Sequence, residues 1–360
     1  MTIVNVLAKP LSSVIPGFNL LISFSPPGQV KLKREQWQTY QPTTVGTRLR
    51  DADRLFLPKG AKAKVICQNL VMWKVPAGKE SIVREGCPSV SNPRLIDQGE
   101  DTAPTRNPNT PSIPYLISPR ETKLLPTESV TFHWHQVEGA KNYRVSLRGP
   151  GVNWNDKTKE NQVVYAAEQP LKPGTRYWFT VETDTGATST REGIIGFSTV
   201  SEKEVQEILG AVEEVKQKQL SREAEALALA RLYQSNEVYN EAIALLKSAI
   251  KDGVESTAIH QLLGKVYQQI GLNRLAREHY LKALELAKAE ENLEGLAMTQ
   301  GGLAITNGIV GNEDEARNYF KNAKATYQEL GDEEAIRNLE KVLTEILGVN
   351  QGSQKSKVKS

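Results

Sequence analysis

Four histidines and two cysteines hold most of the catalytic or metal-binding potential of this 360-residue chain. His133 and His135 stand two apart in the alternating run Val130-Thr-Phe132-His-Trp134-His, so they share one face of a strand. Two imidazoles are half of a metal site, and no nearby Cys or His completes the ligand set. They read as a solvent-facing pair. His260 and His279 fall in helix-period segments and read as packing or surface residues. Cys67 or Cys87 as a nucleophile would need a positioned histidine, and their segment holds none. No G-x-S-x-G, H-E-x-x-H, P-loop or G-x-G-x-x-G occurs. The expectation is a protein that is not an enzyme and uses no cofactor or metal.

The cysteines form an even, local pair, which suits a disulfide in an oxidising compartment. Cys67 ends an alternating strand, and Cys87 follows one further strand and turn. A chain that runs out and returns brings two Cα atoms within the roughly 4.4 to 6.8 Å that a disulfide spans. Two buried free thiols in a reducing cytoplasm would give the same count. Of five tryptophans, Trp37, Trp73, Trp134 and Trp178 read as core. Trp154, in the loop-like Gly151-Val-Asn-Trp154-Asn-Asp156, is the candidate for stacking on a carbohydrate.

The elements that would position these residues change character along the chain. Residues 1–110 carry 15 basic and 8 acidic side chains, and residues 201–360 carry 20 and 25. A basic front suits an anionic envelope polymer as partner; a solvated surface has the same composition. No run of 18 apolar residues indicates a transmembrane segment, and nothing points to nucleic acid. Lys9 and the apolar run Leu11 to Phe24, before Ser25-Pro26-Pro27, have a weak signal-peptide profile interrupted by Pro16 and Asn19. Residues 1–27 are thus expected to be a leader or a disordered tail.

Residues 28–90 read as short strands separated by Gly and Pro turns, a small all-β unit. This segment resembles the FecR-like sensor domain of exported bacterial proteins. The resemblance rests on Trp37, Gly46, Leu49, Asp53, Leu55, Leu57, Gly60-Ala61, Val65, Cys67, Ala77-Gly78 and Cys87. Residues 91–112, rich in Pro, Ser, Asn and Thr, form a linker. Residues 113–200 read as a β-sandwich, with strands at Val130–His135, Tyr143–Leu147 and Trp178–Glu182. The Leu171…Pro173-Gly174…Tyr177 segment resembles the tyrosine corner of fibronectin III and immunoglobulin-like sandwiches. There the phenol hydroxyl bonds back to the loop.

From Ser201 the apolar period changes from 2 to 3.6. Ser201-Glu-Lys-Glu204 is a capping box. Small residues then recur with a fixed retinue. Around Ala230, Gly264 and Ala304 stand Tyr233, Tyr267 and Asn307 three residues on, and Ala242, Ala276 and Ala316 twelve on. Leu246, Tyr280 and Phe320 follow at sixteen, and Ala249, Ala283 and Ala323 at nineteen. The pattern resembles the tetratricopeptide repeat, three times over. The resemblance implies pairs of antiparallel helices whose small residues permit close crossing. Asp332 is expected to cap a last helix ending near Leu347, with residues 349–360 a disordered tail.

The fold class expected is therefore multidomain: an all-β N-terminal module and a β-sandwich, then an all-α repeat solenoid over 201–348. The resemblance implies a concave groove that binds a protein or peptide partner, lined by Leu227, Arg231, Gln234, Gln261, Lys265, Gln268, Gly301, Ile305 and Gly308. The module order resembles that of envelope proteins of cyanobacterial type. It implies an adaptor or scaffold of the periplasm or cell exterior. A cytoplasmic protein and a cell-wall or glycan-binding protein acting through its β modules remain the alternatives.

Overall fold

The computed structural model describes residues 19–88, 112–166 and 169–357. The stretch expected to be a linker falls almost wholly outside them.

The N-terminal module contains β1 (Asn19–Ser25), β2 (Lys31–Lys33), β3 (Gln41–Pro42), β4 (Arg48–Leu49), β5 (Arg54–Leu57), β6 (Lys62–Ile66), β7 (Met72–Lys74), β8 (Lys79–Ile82) and the short helix α1 (Val83–Gly86). They pair as two antiparallel sheets, β4-β1-β6-β7 and β3-β2-β5-β8. Alternation aims Leu55, Leu57, Ala63 and Val65 inward, onto Leu21, Leu32, Trp37 and Val83. Cys67 and Cys87 are joined by a disulfide, with Cα atoms 5.2 Å apart. A closure of this size constrains the unfolded chain by about 3 kcal/mol in the loop-entropy account, a large share for so small a core.

The expectation of a leader or tail at 1–27 fails from residue 19 onward. Residues 19–25 are the strand β1, between β4 and β6, and Leu20, Leu21 and Ile22 are buried. A strand covered on both faces reads as an unbroken apolar run, like the core of a leader. Residues 1–18 lie outside the described residues.

The second unit contains β9 (Leu116–Ser118), β10 (Lys123–Leu124), β11 (Val130–Trp134), β12 (Tyr143–Gly149), β13 (Val152–Thr158), β14 (Gln162–Tyr165), β15 (Arg176–Thr183) and β16 (Gly196–Thr199). One sheet runs β10-β16-β15-β12-β13 and the other β14-β11-β9. Inward residues of both form one core: Phe132 and Trp134 from one sheet meet Tyr143, Leu147, Tyr177, Phe179 and Phe197 from the other. Phe132 stacks on Phe179 at 3.9 Å between centroids. The Tyr177 hydroxyl accepts a 2.8 Å bond from the Lys172 amide, closing the corner.

The helical half follows: α2 (Glu202–Gln217), α3 (Arg222–Ser235), α4 (Tyr239–Lys251), α5 (Thr257–Gln269), α6 (Asn273–Ala289), α7 (Leu293–Val310), α8 (Glu313–Leu330) and α9 (Glu333–Lys357). Ser201 and Glu204 make the reciprocal capping box at the start of α2. α3–α4, α5–α6 and α7–α8 are the three repeats. Ala230, Ala242, Ala249, Ala276, Ala283, Ala304, Ala316 and Ala323 are all fully buried. Tyr267 and Tyr280 are buried among them, while Tyr233 and Phe320 are half-buried. Gly264 and Gly302 both face the Tyr280 ring; a Cβ at Gly302 would stand 2.7 Å from it. Asp332 accepts from the Ala335 amide and caps α9. That helix continues to Lys357, so the tail expected to be disordered is helical in backbone as far as the structure describes it.

Candidate protein-binding groove

The residues expected to line a concave groove are brought together on α3, α5 and α7, but they do not form an open channel. The N-terminal module sits against them. Gly46 lies in the turn before β4 with φ of +88°, and a Cβ there would stand 2.6 Å from both Ala258 Cβ and Leu227 Cδ1. Only glycine permits that approach. Leu20, Ile22 and Ile66 are continuous with the core that contains Leu227, Leu229 and Leu262. Leu227, Gln268 and Ile305 are buried, and Arg231, Gln234, Gln261 and Lys265 are half-buried.

The polar lining is occupied within the array. Arg231 Nη1 donates to Gln234 Oε1 at 3.3 Å, and Gln234 donates to Gln269 at 2.7 Å. Gln261 donates to the Gly295 carbonyl and to Thr299 Oγ1, each at 2.7 Å, and so ties α5 to α7. Gln268 accepts from the Tyr280 hydroxyl. Burial, with Arg48 of the β module adding repulsion, lowers the Arg231 guanidinium to about 9. Arg231 is thus half-buried beside the β module, not on the open groove wall where it was expected. In the third repeat the lining is covered by α9: Gly301 faces Leu339, Gly308 faces Ile346 and Leu343, and Ile305 joins their cluster.

The seam has a charged rim. Arg34 is buried between Asp53 of its own module and Glu294 at the start of α7; its Nε donates to Glu294 Oε1 at 2.7 Å. Burial alone would lower this guanidinium, but Glu294 and Asp53 outweigh it and hold Arg34 above its ordinary value. Trp37 Nε1 reaches Asp332 at 3.3 Å, and Asn292 Nδ2 donates to Thr44 Oγ1 at 3.2 Å. Arg34, Trp37, Gly46, Glu294 and Asp332 were not among the expected site residues. A sequence signal existed on the array side: Leu227, Ala258, Gly301, Ile305 and Gly308 are small or apolar at lining positions, which is the composition of a covered surface.

The sandwich meets the array at the turns between paired helices. Arg120, fully buried, donates to the Ile270 carbonyl at 2.6 Å and to Glu192 Oε2 at 2.8 Å. Thr122 Oγ1 and the Lys123 amide both donate to the Glu237 carbonyl.

Other sequence candidates resolve differently. Trp154 lies in β13, half-buried and edge-on to Tyr165, rather than in a loop. Trp178, expected in the core, is 38% exposed on the outer face of β15. His133 and His135 are both half-buried, and His135 stacks on Tyr115 at 4.7 Å. His260 and His279 meet Nδ1 to Nδ1 at 3.1 Å between α5 and α6. Among the described residues no group of three or more His, Cys, Asp or Glu could hold a metal ion. None of the described helices is long and apolar enough to cross a membrane.

Comparison with known proteins addresses the helical half. The family model for the tetratricopeptide repeat matches residues 255–329, which are a tetratricopeptide repeat region. Among the described residues an N-terminal half rich in antiparallel sheet precedes an all-α run that contains this repeat region, an all-β part followed by a helical solenoid. Among solved structures it is similar to a Podosopora anserina kinesin light chain-like protein with nearly identical TPR-like repeats. That similarity has 20% identity, a TM-score of 0.29, and covers 41% of this chain and 90% of that one. It is also similar to YrrB, a TPR protein with an unusual peptide-binding site, at 20% identity and a TM-score of 0.24, over 43% of this chain and 85% of that one. No curated protein matches the sequence. Tetratricopeptide repeats are in general protein–protein interaction modules, and proteins built on them are typically non-catalytic scaffolds.

Proposed function

We propose that this protein is a non-catalytic scaffold of the cell envelope whose repeat array binds protein through its concave face, with the N-terminal β module as the occupant in cis. The observation that carries the reading is the seat of Gly46 on Leu227 and Ala258. It supports a face suited to a tight, glycine-tipped turn backed by apolar side chains and rimmed by hydrogen bonds. A protein partner of that shape competes with residues 43–48 for the same lining. The Cys67–Cys87 disulfide supports a location outside the reducing cytoplasm.

Two experiments test this. Photocrosslinkers at Lys265 should capture a protein partner in a Gly46→Leu variant and capture little in the native chain. Equal capture from both would remove the competition. Thiol labelling of protein taken from its native cell without reductant should leave both cysteines unlabelled after denaturation. Two labelled cysteines would place the protein in the cytoplasm.

A second reading, glycan binding through the sandwich, is favoured by one observation. Trp178 projects from a polar sheet face opposite Arg148 and beside Gly196. Trp178→Ala, and not Trp154→Ala, should then abolish any glycan-array signal.

A further inference from the structure

The outer face of the sheet β4-β1-β6-β7 changes character partway along its strands. Its first row, Leu20, Ile66 and Met72, packs on the helical array. The next rows are Ser23 beside Lys64 beside Lys74, and Ser25 beside Lys62. Lys62, Lys64 and Lys74 are exposed. Lys64 and Lys74 stand directly opposite one another on neighbouring strands, where like charges are destabilising. Lys62 follows two residues along on the same face, about 6.5 to 7 Å away. Among the described residues none of the three lysines is in an ion pair; the carboxylates Asp53 and Glu80 of this module are held by Arg34 and Arg54. A fold that places three ammonium groups together, with no ion-pair partner among the described residues, gives up stability there, and an anion restores it.

We infer that this lysine face binds an acidic polysaccharide, an extended chain of sugars bearing carboxylates. This locates the anionic partner of the envelope reading and rests on that reading for its source. Ammonium groups are compact point charges that match spaced anions without demanding a planar fork. Ser23 and Ser25 set hydroxyl donors beside them for sugar oxygens. Single-stranded nucleic acid is disfavoured by the same face. Its recognition uses aromatic platforms, and Phe24 and Trp73 of these strands turn the other way, into the module core.

The test uses the full chain and two purified probes, polygalacturonate and neutral dextran of matched length. Polygalacturonate should bind, dextran should not, and the affinity should fall as salt is raised. Lys62→Gln/Lys64→Gln/Lys74→Gln should weaken binding at least tenfold. Lys157→Gln/Lys159→Gln, which removes two exposed charges from the sandwich, should leave it unchanged. If the triple variant does not fold, Lys74→Gln alone should still weaken binding several-fold, and its melting midpoint should not fall. Unchanged affinity in the folded lysine variants overturns the inference, as does equal binding of dextran. Duplex DNA displacing polygalacturonate at equal concentration would overturn the polysaccharide assignment. Because binding is read on purified protein, a cytoplasmic result from the thiol count would overturn the envelope reading without altering this measurement.

Discussion

The array holds its two β units by different means. The sandwich is fixed through backbone: Arg120, paired with Glu192 (each 1% exposed at the side chain), donates to the Ile270 carbonyl, and Thr122 and Lys123 donate to the Glu237 carbonyl. The N-terminal module is held by its Gly46 turn against small side chains and by pairs at a rim, where Glu294 is 17% exposed. A buried ion pair with backbone partners has no alternative arrangement, since separating it strands two charges. At the second seam Arg34 is buried as well, but its partner Glu294, at 17% exposed, and the Asn292–Thr44 bond lie nearer to water. The first seam turns on a buried charge pair with backbone partners, and the second on an apolar contact continuous with the array's core and closed by the Gly46 turn.

The largest expected effect tests the first half of that contrast. Arg120→Leu leaves the Glu192 carboxylate buried without its cation, and removal of one partner from such a pair costs about 3 to 5 kcal/mol. The sandwich and the α5–α6 turn should lose protection together in amide exchange. Loss confined to the sandwich would show that the seam does not couple them.

Gly46→Leu tests the second half. The left-handed backbone costs a non-glycine residue about 1 to 2 kcal/mol. Overpacking against Leu227 and Ala258 adds about 1 to 3 kcal/mol. The prediction is undocking, not unfolding: faster amide exchange in the lining of α3 and α5 and at the starts of α7 and α9, with the sandwich unchanged. If the whole chain melts as one earlier transition, the two seams are alike after all. Ala276→Leu, at a fully buried crossing of the second repeat, should cost about 1 to 3 kcal/mol without opening either seam. An unchanged midpoint would refute the repeat register.

The same contrast governs what could be read from sequence. The repeats were legible because each small residue answers to a neighbour at fixed spacing within about 20 positions, as Ala242 does to Ala230. The capping box at Ser201 was legible for the same reason. What occupies the groove was not, because Gly46 and Leu227 are far apart in the chain and no local period links them. Strand β1 was misread because an apolar run of its length serves a leader and a buried strand equally. Trp178 was misread because strand alternation gives two faces, and sequence alone does not say which sheet face is covered.

The smallest expected effect comes from two groups of the array that oppose each other. Burial pushes the Glu241 carboxyl up to about 7, from an ordinary 4.5. The folded state therefore favours its protonated form, so its contribution is full below about pH 4.5 and is lost as pH rises toward 7. Burial, then His260, then Lys247 push His279 down to about 4, from 6.5, and His260 is lowered by burial too. The fold favours neutral imidazoles, so that contribution is full above pH 6.5 and is lost as pH falls toward 4. Between pH 4.5 and 6.5 the slopes have opposite sign, and the melting midpoint of the native array should change little. Single variants separate them. Glu241→Gln should leave a midpoint that rises with pH across this window, and His279→Gln one that falls, each by the equivalent of about 1 kcal/mol. A flat profile in both variants would show that neither group differs between the folded and unfolded states. A slope that also changes in Gly46→Leu would move the pH dependence from the array to the seam.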